Sequence, residues 1–466
     1  MSRWNLAWLV GIAAVASLGL AVSQSAPSRD KDKDYELVRL VVDVLSEVDH
    51  KYVRELDEGA KRKLVEDMVN GGLARLDPHS AFINPKHYKK FTNDSKGKFG
   101  GVGIQISTDR QTGLLQVVSP LVGTPAYDAG VLAGDLIVKI DGKSTEDMTI
   151  NDAVDLIQGD PGQKITLTVL HEGGKEPADL SMERAMIKVQ SVLGDVRKAD
   201  NPEEWDYFID KPNKIAYLRL AAFNEDSADE LRKAVTEVKQ DGVRGLILDL
   251  RGNPGGLLKS AVEISNLFVA EGRIVSTKGR NQDEEVFDAR EEGAILRSKQ
   301  ECPMVVLVNK FSASASEIVS AALQDHGRAV IIGERSYGKG SVQNIIRMEG
   351  GKSALKLTTA SYWRPSGKNI HRFPDAKDTD EWGVKPNAGF EVRMKDEERL
   401  AFALYRRDRD IVHGKSAAQP APKPEKKGKA KEKKPFVDRV LEKALDHLRG
   451  EVKKAQGLAP LEIKVG

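Results

Sequence analysis

The stretch "NKFSASASEIVSAALQDHG" sets Ser312, Ser314 and Ser316 where an apolar run, "VVLVN", gives way to a run with helical spacing, "SEIVSAALQD". Serines at such a junction lie at or near a helix N-terminus, where unpaired backbone N–H groups favour negative charge. Two roles suit them. A hydroxyl there caps the helix, and "SASE" is a capping pattern. A hydroxyl there is also a nucleophile, if a base takes its proton. The base on offer is Lys339, held between glycines in "RSYGKGSVQ", 25 residues beyond Ser314. Lysine is protonated in water, but partial burial disfavours the charged form and lowers its pKa. Gln343 follows four residues on; on a helical turn it would face the same way and orient the amine. The plain alternative for Lys339 is a solvated surface residue.

A second motif bears on the same chemistry. "LDLRGNPGG", residues 248–256, runs from an apolar strand into glycines. Glycine lets the backbone approach a reacting group and turn N–H groups toward it, as an oxyanion hole needs. A tight turn explains the same residues equally well. Among the histidines, His326 beside Asp325 has the look of a helix C-terminal residue, and His79 and His371 have no carboxylate paired to them in sequence. Spacing alone leaves a Ser-His-Asp arrangement open.

These residues need elements to hold them. Residues 35–75 carry two runs of apolar residues at helical spacing. "DPHSAFINPKHY" breaks that pattern with proline and aspartate. From Gly97 to Lys188 short strands and glycine turns alternate, with helical "INDAVDLIQG", which makes a compact domain. From Val189 onward strands such as "KIAYLRL", "GLILDL", "MVVLV" and "AVIIG" alternate with helices. That order implies a parallel sheet with crossover helices, buried on both faces. Residues 411–435 are a Pro/Lys-rich linker, and 436–455 have a helical stripe of Phe436, Val437, Val440, Leu441, Ala444 and Leu445. The fold class expected is therefore α+β/α/β multidomain: a helical N-terminal region (35–96), the small domain (97–188) and a mixed-sheet catalytic core (189–410), with 75–96 packing on the core.

Composition sets the bounds. The 466 residues suit two or three domains. A net charge of +2 gives no general argument for nucleic acid, and the one cysteine, Cys302, excludes a disulfide framework and a multi-cysteine metal site. Residues 6–23, "LAWLVGIAAVASLGLAVS", are an uncharged apolar run behind Arg3, so residues 1–26 read as a signal peptide or membrane anchor. The expectation is an exported protein of the periplasm or cell envelope, cleaved or anchored to the inner membrane by that segment. The lysine-rich linker reads as a solvated spacer, with contact to an anionic membrane surface as the alternative.

Taken in order, the export signal, the small domain, "DLRGNPGG" and "SASASEI…GKGSVQ" resemble the carboxyl-terminal processing peptidases, or tail-specific proteases, over roughly residues 35–410. The resemblance implies a serine endopeptidase with Ser314 as nucleophile, Lys339 as general base and Gln343 assisting it. It implies an oxyanion hole from the N–H of Ala315 and of Gly255 or Gly256, and leaves Ser312 and Ser316 structural, Ser316 as a cap or helix-start residue. Residues 97–188 are similar to the family's PDZ domain, which binds a substrate tail as an added strand and captures its carboxylate. Val102, Gly103 and Ile104 of "KFGGVGIQI" are then expected at that groove; building the domain core is the other reading. The implied partners are proteins with free, apolar C-termini, an adaptor or regulator protein, and a second copy meeting through the terminal helices. No cofactor or metal is implied.

The chain departs from the family pattern at Ser336 and Tyr337, where many relatives have threonine and phenylalanine, and at Lys310 and Phe311, where smaller residues are frequent. The last two are expected to shape the substrate groove beside the cut. Two other functions remain as expectations to test: a non-catalytic PDZ-type scaffold, and a lipase- or esterase-like hydrolase, which the missing GxSxG elbow disfavours.

Overall fold

The computed structural model describes residues 31–109, 112–414 and 436–457. The apolar run 6–23 and most of the linker lie outside these residues. Among the described residues no helix is long and apolar enough to cross a membrane. The chain divides into two compact units, up to Leu73 and from Ala74 onward.

The first unit contains the helices Lys31–Lys51 and Glu58–Leu73. Many of their apolar side chains are exposed, among them Tyr35, Leu37, Val38 and Leu40.

The second unit begins with the segment that "DPHSAFINPKHY" marks as a break. Here the prolines do two different things. Asp77 and Pro78 make a turn, with Asp77 accepting from the N–H groups of His79 and Ser80. Pro85 starts a helix, Pro85–Lys96, because the first helical position needs no N–H. That helix lies within the region 35–96 expected to be helical, although the prolines there mark a break. Between them, strand Ala81–Ile83 pairs with Ser353–Trp363.

The PDZ-like region forms a six-stranded sheet in the order Ile104–Thr108, Leu115–Pro120, Leu136–Ile140, Lys164–Leu170 and Ala178–Glu183, with Lys143–Ser144 added to Leu136–Ile140. Alternation gives it a core of its own, including Leu115, Val117, Ile137, Ile140, Ile165 and Leu167. Helix Ile150–Ile157 packs there, opened by a capping box between Thr149 and Asp152.

The mixed-sheet core is built on four parallel strands, Ile215–Leu220, Gly245–Asp249, Met304–Val308 and Ala329–Gly333. Helices Ser227–Gln240, Leu258–Asn266 and Ala315–Asp325 make the crossovers and bury Leu231, Val235, Ile264, Ile318 and Val319 with one set of strand side chains. The other strand face, with Ile215, Tyr217, Ile247, Val305, Leu307 and Ile332, is covered by Val440, Leu441, Ala444 and Leu448 of the final helix, Arg439–Gly457. Burial on both sides is why these strands read as unbroken apolar runs. A second, antiparallel sheet places Ser353–Trp363 between Ser341–Met348 on one edge and Ala81–Ile83 with Arg273–Gly279 on the other.

Candidate active site

Ser314 immediately precedes helix Ala315–Asp325, at the C-terminal side of strand Met304–Val308. Its backbone has φ 54° and ψ −115°, a conformation that side chains with a Cβ adopt only under strain and that the surroundings must enforce. Sharp, strained strand-to-helix turns are how nucleophilic serines are presented on other folds, although no GxSxG sequence stands here. The restraints are visible. Ser312 Oγ donates to the Leu250 carbonyl at 2.8 Å, and the N–H of Ala313 to the Asn253 carbonyl at 3.1 Å. Ser316, expected as a cap or helix-start residue, stands at the helix start: the N-cap is Ser314, and the Ser316 hydroxyl donates to the Asn253 carbonyl at 3.0 Å and ties the helix to the glycine loop.

The glycine loop fits against this turn. Gly255 has φ +97°, and a Cβ placed on it would stand 2.8 Å from the Ser314 Cβ and 2.9 Å from the Ala315 nitrogen. Only glycine allows that approach. The two candidate glycines differ. The N–H of Gly255 is taken by the Asn253 side chain at 2.8 Å. Phe223 donates to the Gly255 carbonyl and accepts from Leu257, stepping over Gly256. Among the described residues nothing accepts from the N–H of Gly256 or of Ala315.

Glu317, in sequence the last residue of a capping pattern, is the centre of the arrangement. It is fully buried. Its Oε2 accepts from the N–H of Ser314 and from that of Lys339, both at 2.8 Å. Its Oε1 accepts from the Ser336 hydroxyl and the Gly338 N–H, both at 2.6 Å. Burial pushes its pKa up to about 7 against the pull of these four donors. The N–H of Glu317 donates to the Ser314 carbonyl at 2.8 Å. Ser336, the departure from threonine, keeps a hydroxyl in use: it also accepts from the N–H of Val384 at 2.7 Å.

Lys339 is half-buried, and burial, with the charge of Lys356, holds its pKa below the ordinary lysine value while Glu317 and Asp77 oppose the shift. Its Nζ donates to Gln343 Oε1 at 2.8 Å. The expected helical turn is not what brings them together. Lys339 precedes strand Ser341–Met348, and Gln343 sits within it. No hydrogen bond joins Nζ to Ser314 in this conformation; the Ser314 hydroxyl interacts instead with the phenol of Tyr362, whose pKa burial raises to about 12.

No histidine hydrogen-bonds Ser314 among the described residues. His326 Nε2 contacts the Arg273 carbonyl at 2.7 Å, as a helix C-cap. His79 and His371 both have pKa values lowered by burial, His79 also by the charge of Lys339.

In the PDZ-like region Val102 is fully buried in the domain core. Its side chain builds the domain core, the other of the two readings, and its carbonyl accepts from the N–H of Ala126 at 2.9 Å. Gly103 has φ +82°, with its carbonyl taken by Leu121 and Thr124. Ile104 begins the first strand and is partly buried against the core.

The model of peptidase family S41 matches residues 214–388, and that of the PDZ domain residues 116–170. A carboxy-terminal-processing protease of Bartonella bacilliformis is 37% identical over 98% of this chain and 98% of its own length. The carboxy-terminal processing protease CtpA of Bacillus subtilis is 35% identical over 71% of this chain and 64% of its own length. Among solved structures, a photosystem II D1 C-terminal processing protease is 28% identical, covering 75% of this chain and 86% of its own, with a TM-score of 0.41.

Proposed function

The chain belongs to the carboxy-terminal processing proteases of peptidase family S41 and is a serine peptidase with a PDZ domain, and from that membership we propose that it cuts proteins by a Ser314–Lys339 acyl-enzyme mechanism after recognising an apolar C-terminal tail. One observation carries the reading: a single buried oxygen, Glu317 Oε2, accepts from the backbone N–H of both Ser314 and Lys339. The two groups are thus fastened to one point by their main chains.

In this mechanism neutral Lys339 accepts the Ser314 proton as Oγ attacks the peptide carbonyl. A rotation of the Ser314 side chain away from Tyr362, or a shift of the lysine tip, brings the two within reach. The oxyanion meets the N–H groups of Ala315 and Gly256, neither of which has another acceptor among the described residues. Lys339 returns the proton to the leaving amine. Water, deprotonated by the again neutral Lys339, then releases the acyl group.

The substrate tail adds beside strand Ile104–Thr108, with the N–H groups of the Val102–Gly103 turn facing its carboxylate. Export rests on the apolar run 6–23, which also supplies the membrane association. The exposed apolar residues of helix Lys31–Lys51 are the surface for self-association.

The test is cleavage of one unfolded protein bearing an apolar or an acidic C-terminus, by the chain and by its Ser314→Ala and Lys339→Ala variants, with product masses recorded. Cleavage that prefers the apolar tail and disappears in both variants is expected. An active Lys339→Ala enzyme would remove lysine as the base.

A further inference from the structure

Behind Lys339 a set of hydrogen bonds crosses two strands and ends on a carboxylate from the far end of the chain. Gln343 Nε2 donates to Ser341 Oγ at 2.9 Å and to Thr358 Oγ1 at 3.2 Å. Thr358 Oγ1 donates to Asp77 Oδ1 at 3.1 Å, across 281 positions of sequence. Asp77 Oδ2 accepts from the Ser80 hydroxyl at 2.7 Å, and Ser80 Oγ accepts from the N–H of Thr358 at 3.0 Å. We propose that Asp77 and Thr358 are positioning residues for the Ser–Lys pair: a relay, ending on a carboxylate, that fixes the amide of Gln343 with its carbonyl oxygen toward Lys339. The proposal rests on the Ser314–Lys339 reading above.

The argument is one of direction. A side-chain amide has two nearly interchangeable ends, and its neighbours decide which faces where. An ionised carboxylate only accepts. Asp77 is such a group: burial opposes ionisation, but the hydrogen bonds from Ser80, His79 and Thr358 hold its pKa below the ordinary value. The single proton of Thr358 Oγ1 is therefore committed to Asp77. What Thr358 presents to Gln343 is a lone pair, so the nitrogen end of the amide must face it. The oxygen end is then left for Lys339, whose Nζ donates to it. With one N–H anchored, rotation of the amine is restricted, and the lone pair of its neutral form is held to the remaining directions. A reversed amide would set N–H against N–H and lose the anchor.

The strand register brings the groups together. Val342 lies opposite Ala360, but Gln343 lies opposite Thr358, so Thr359 is the extra residue of a bulge. Bulges re-aim side chains. Here the step makes Gln343 and Thr358 cross-strand partners. Thr358 falls between the segments of its strand that pair with Ala81–Ile83 and with Arg273–Gly279, which opens its backbone to Ser80 and its hydroxyl to Asp77.

The charged and titratable groups felt by Lys339 are Lys356, Glu317, Asp77 and His79, with His371 beside His79. Of these only Asp77 is both a charge and the end of the relay. Charge and direction can therefore be separated by two variants.

The experiment uses the full chain with a fluorophosphonate that labels Ser314, followed across pH, and kcat and KM on an unfolded protein with an apolar C-terminus. Thr358→Val keeps shape and strand preference and deletes the hydroxyl. It is expected to lower the plateau rate 10- to 100-fold, on the order of a misaligned catalytic group, at unchanged KM, with the acid limb in place. Thr358→Ser restores the rate. Asp77→Asn lowers the plateau and also moves the acid limb to lower pH, since a negative charge near the ammonium is gone. The double variant loses no more than the worse single one. Circular dichroism and melting temperature are recorded for each; if Thr358→Val does not fold, Thr358→Ser and Asp77→Asn decide by their rates and pH profiles. Wild-type plateau rates in folded Thr358→Val and Asp77→Asn, or a Thr358→Ser enzyme slowed as much as Asp77→Asn, would overturn the relay. Full labelling by Lys339→Ala would overturn the underlying reading as well. A dead Lys339→Ala beside a wild-type-like Thr358→Val would overturn the relay alone.

Discussion

Asp438 grips Arg251 from 187 positions away: its two carboxylate oxygens accept from Nη1 and Nη2, each at 2.9 Å, and both side chains are buried. Arg251 is also bonded to Asp249, and its guanidinium lies 4.4 Å from the centre of the Phe402 ring. Asp438 caps the final helix through the N–H of Leu441 at 3.1 Å. The last helix is thereby fastened to the residue from which the glycine loop departs.

Asp438→Ala leaves Arg251 with one of its two carboxylates. Breaking a buried pair from one side typically costs about 3–5 kcal/mol, and the surviving Asp249 puts the expected loss near the low end, about 3 kcal/mol. The urea midpoint falls accordingly, and activity falls with the loop. An unchanged midpoint would show that apolar packing alone holds the helix.

Glu317→Gln changes one oxygen for an NH2 group. Four donors converge on the carboxylate, and the amide sets its own N–H groups against two of them. Activity is expected to drop by at least about 100-fold, the scale of a displaced catalytic group, while the variant stays folded.

The same residue makes a pH prediction. With a folded pKa of about 7, above its ordinary 4.5, Glu317 contributes stability that is complete below about 4.5 and is lost as pH rises through about 7. Activity runs the other way, because only the ionised form accepts from all four donors. Melting temperature and labelling rate should therefore move in opposite directions between these values, and Glu317→Gln should flatten this part of the stability slope. Parallel movement of the two would contradict the assignment.

Lys339→Met is expected to separate activity from stability. The lysine pKa is depressed by burial and by Lys356. Such a group favours the fold only when neutral, so its contribution is lost as pH falls through the folded value, and at neutral pH the ammonium is a cost. The methionine variant should be inactive and melt no lower than the parent at pH 7. A clear fall in melting temperature would mean that the hydrogen bond to Gln343 outweighs the burial of the charge.

Much of this protein is legible in its sequence because the signals are local. Helical spacing after "VVLVN" puts Ser314 at a helix N-terminus, apolar strands alternating with helices announce the parallel sheet, and "NPGG" marks the loop that touches the serine. Each depends on residues within a few positions of one another, where backbone geometry and side-chain periodicity are set by the chain itself. Even Glu317 left a mark, as the last residue of a capping pattern.

What spacing did not decide is which partner each polar group takes. Gln343 meets Lys339 from a bulged strand and not from a helical turn; the Val102 side chain is part of the domain core; among the described residues the N–H of Gly255 has an acceptor and that of Gly256 has none. Glu317, Asp77 and Asp438 act on residues that lie 22, 281 and 187 positions away. The sequence by itself determined the elements and the reacting groups. Only the tertiary structure decided their hydrogen-bond partners and their burial, because both depend on which strands and helices are packed side by side, and a buried carboxylate or lysine takes its chemistry from those neighbours.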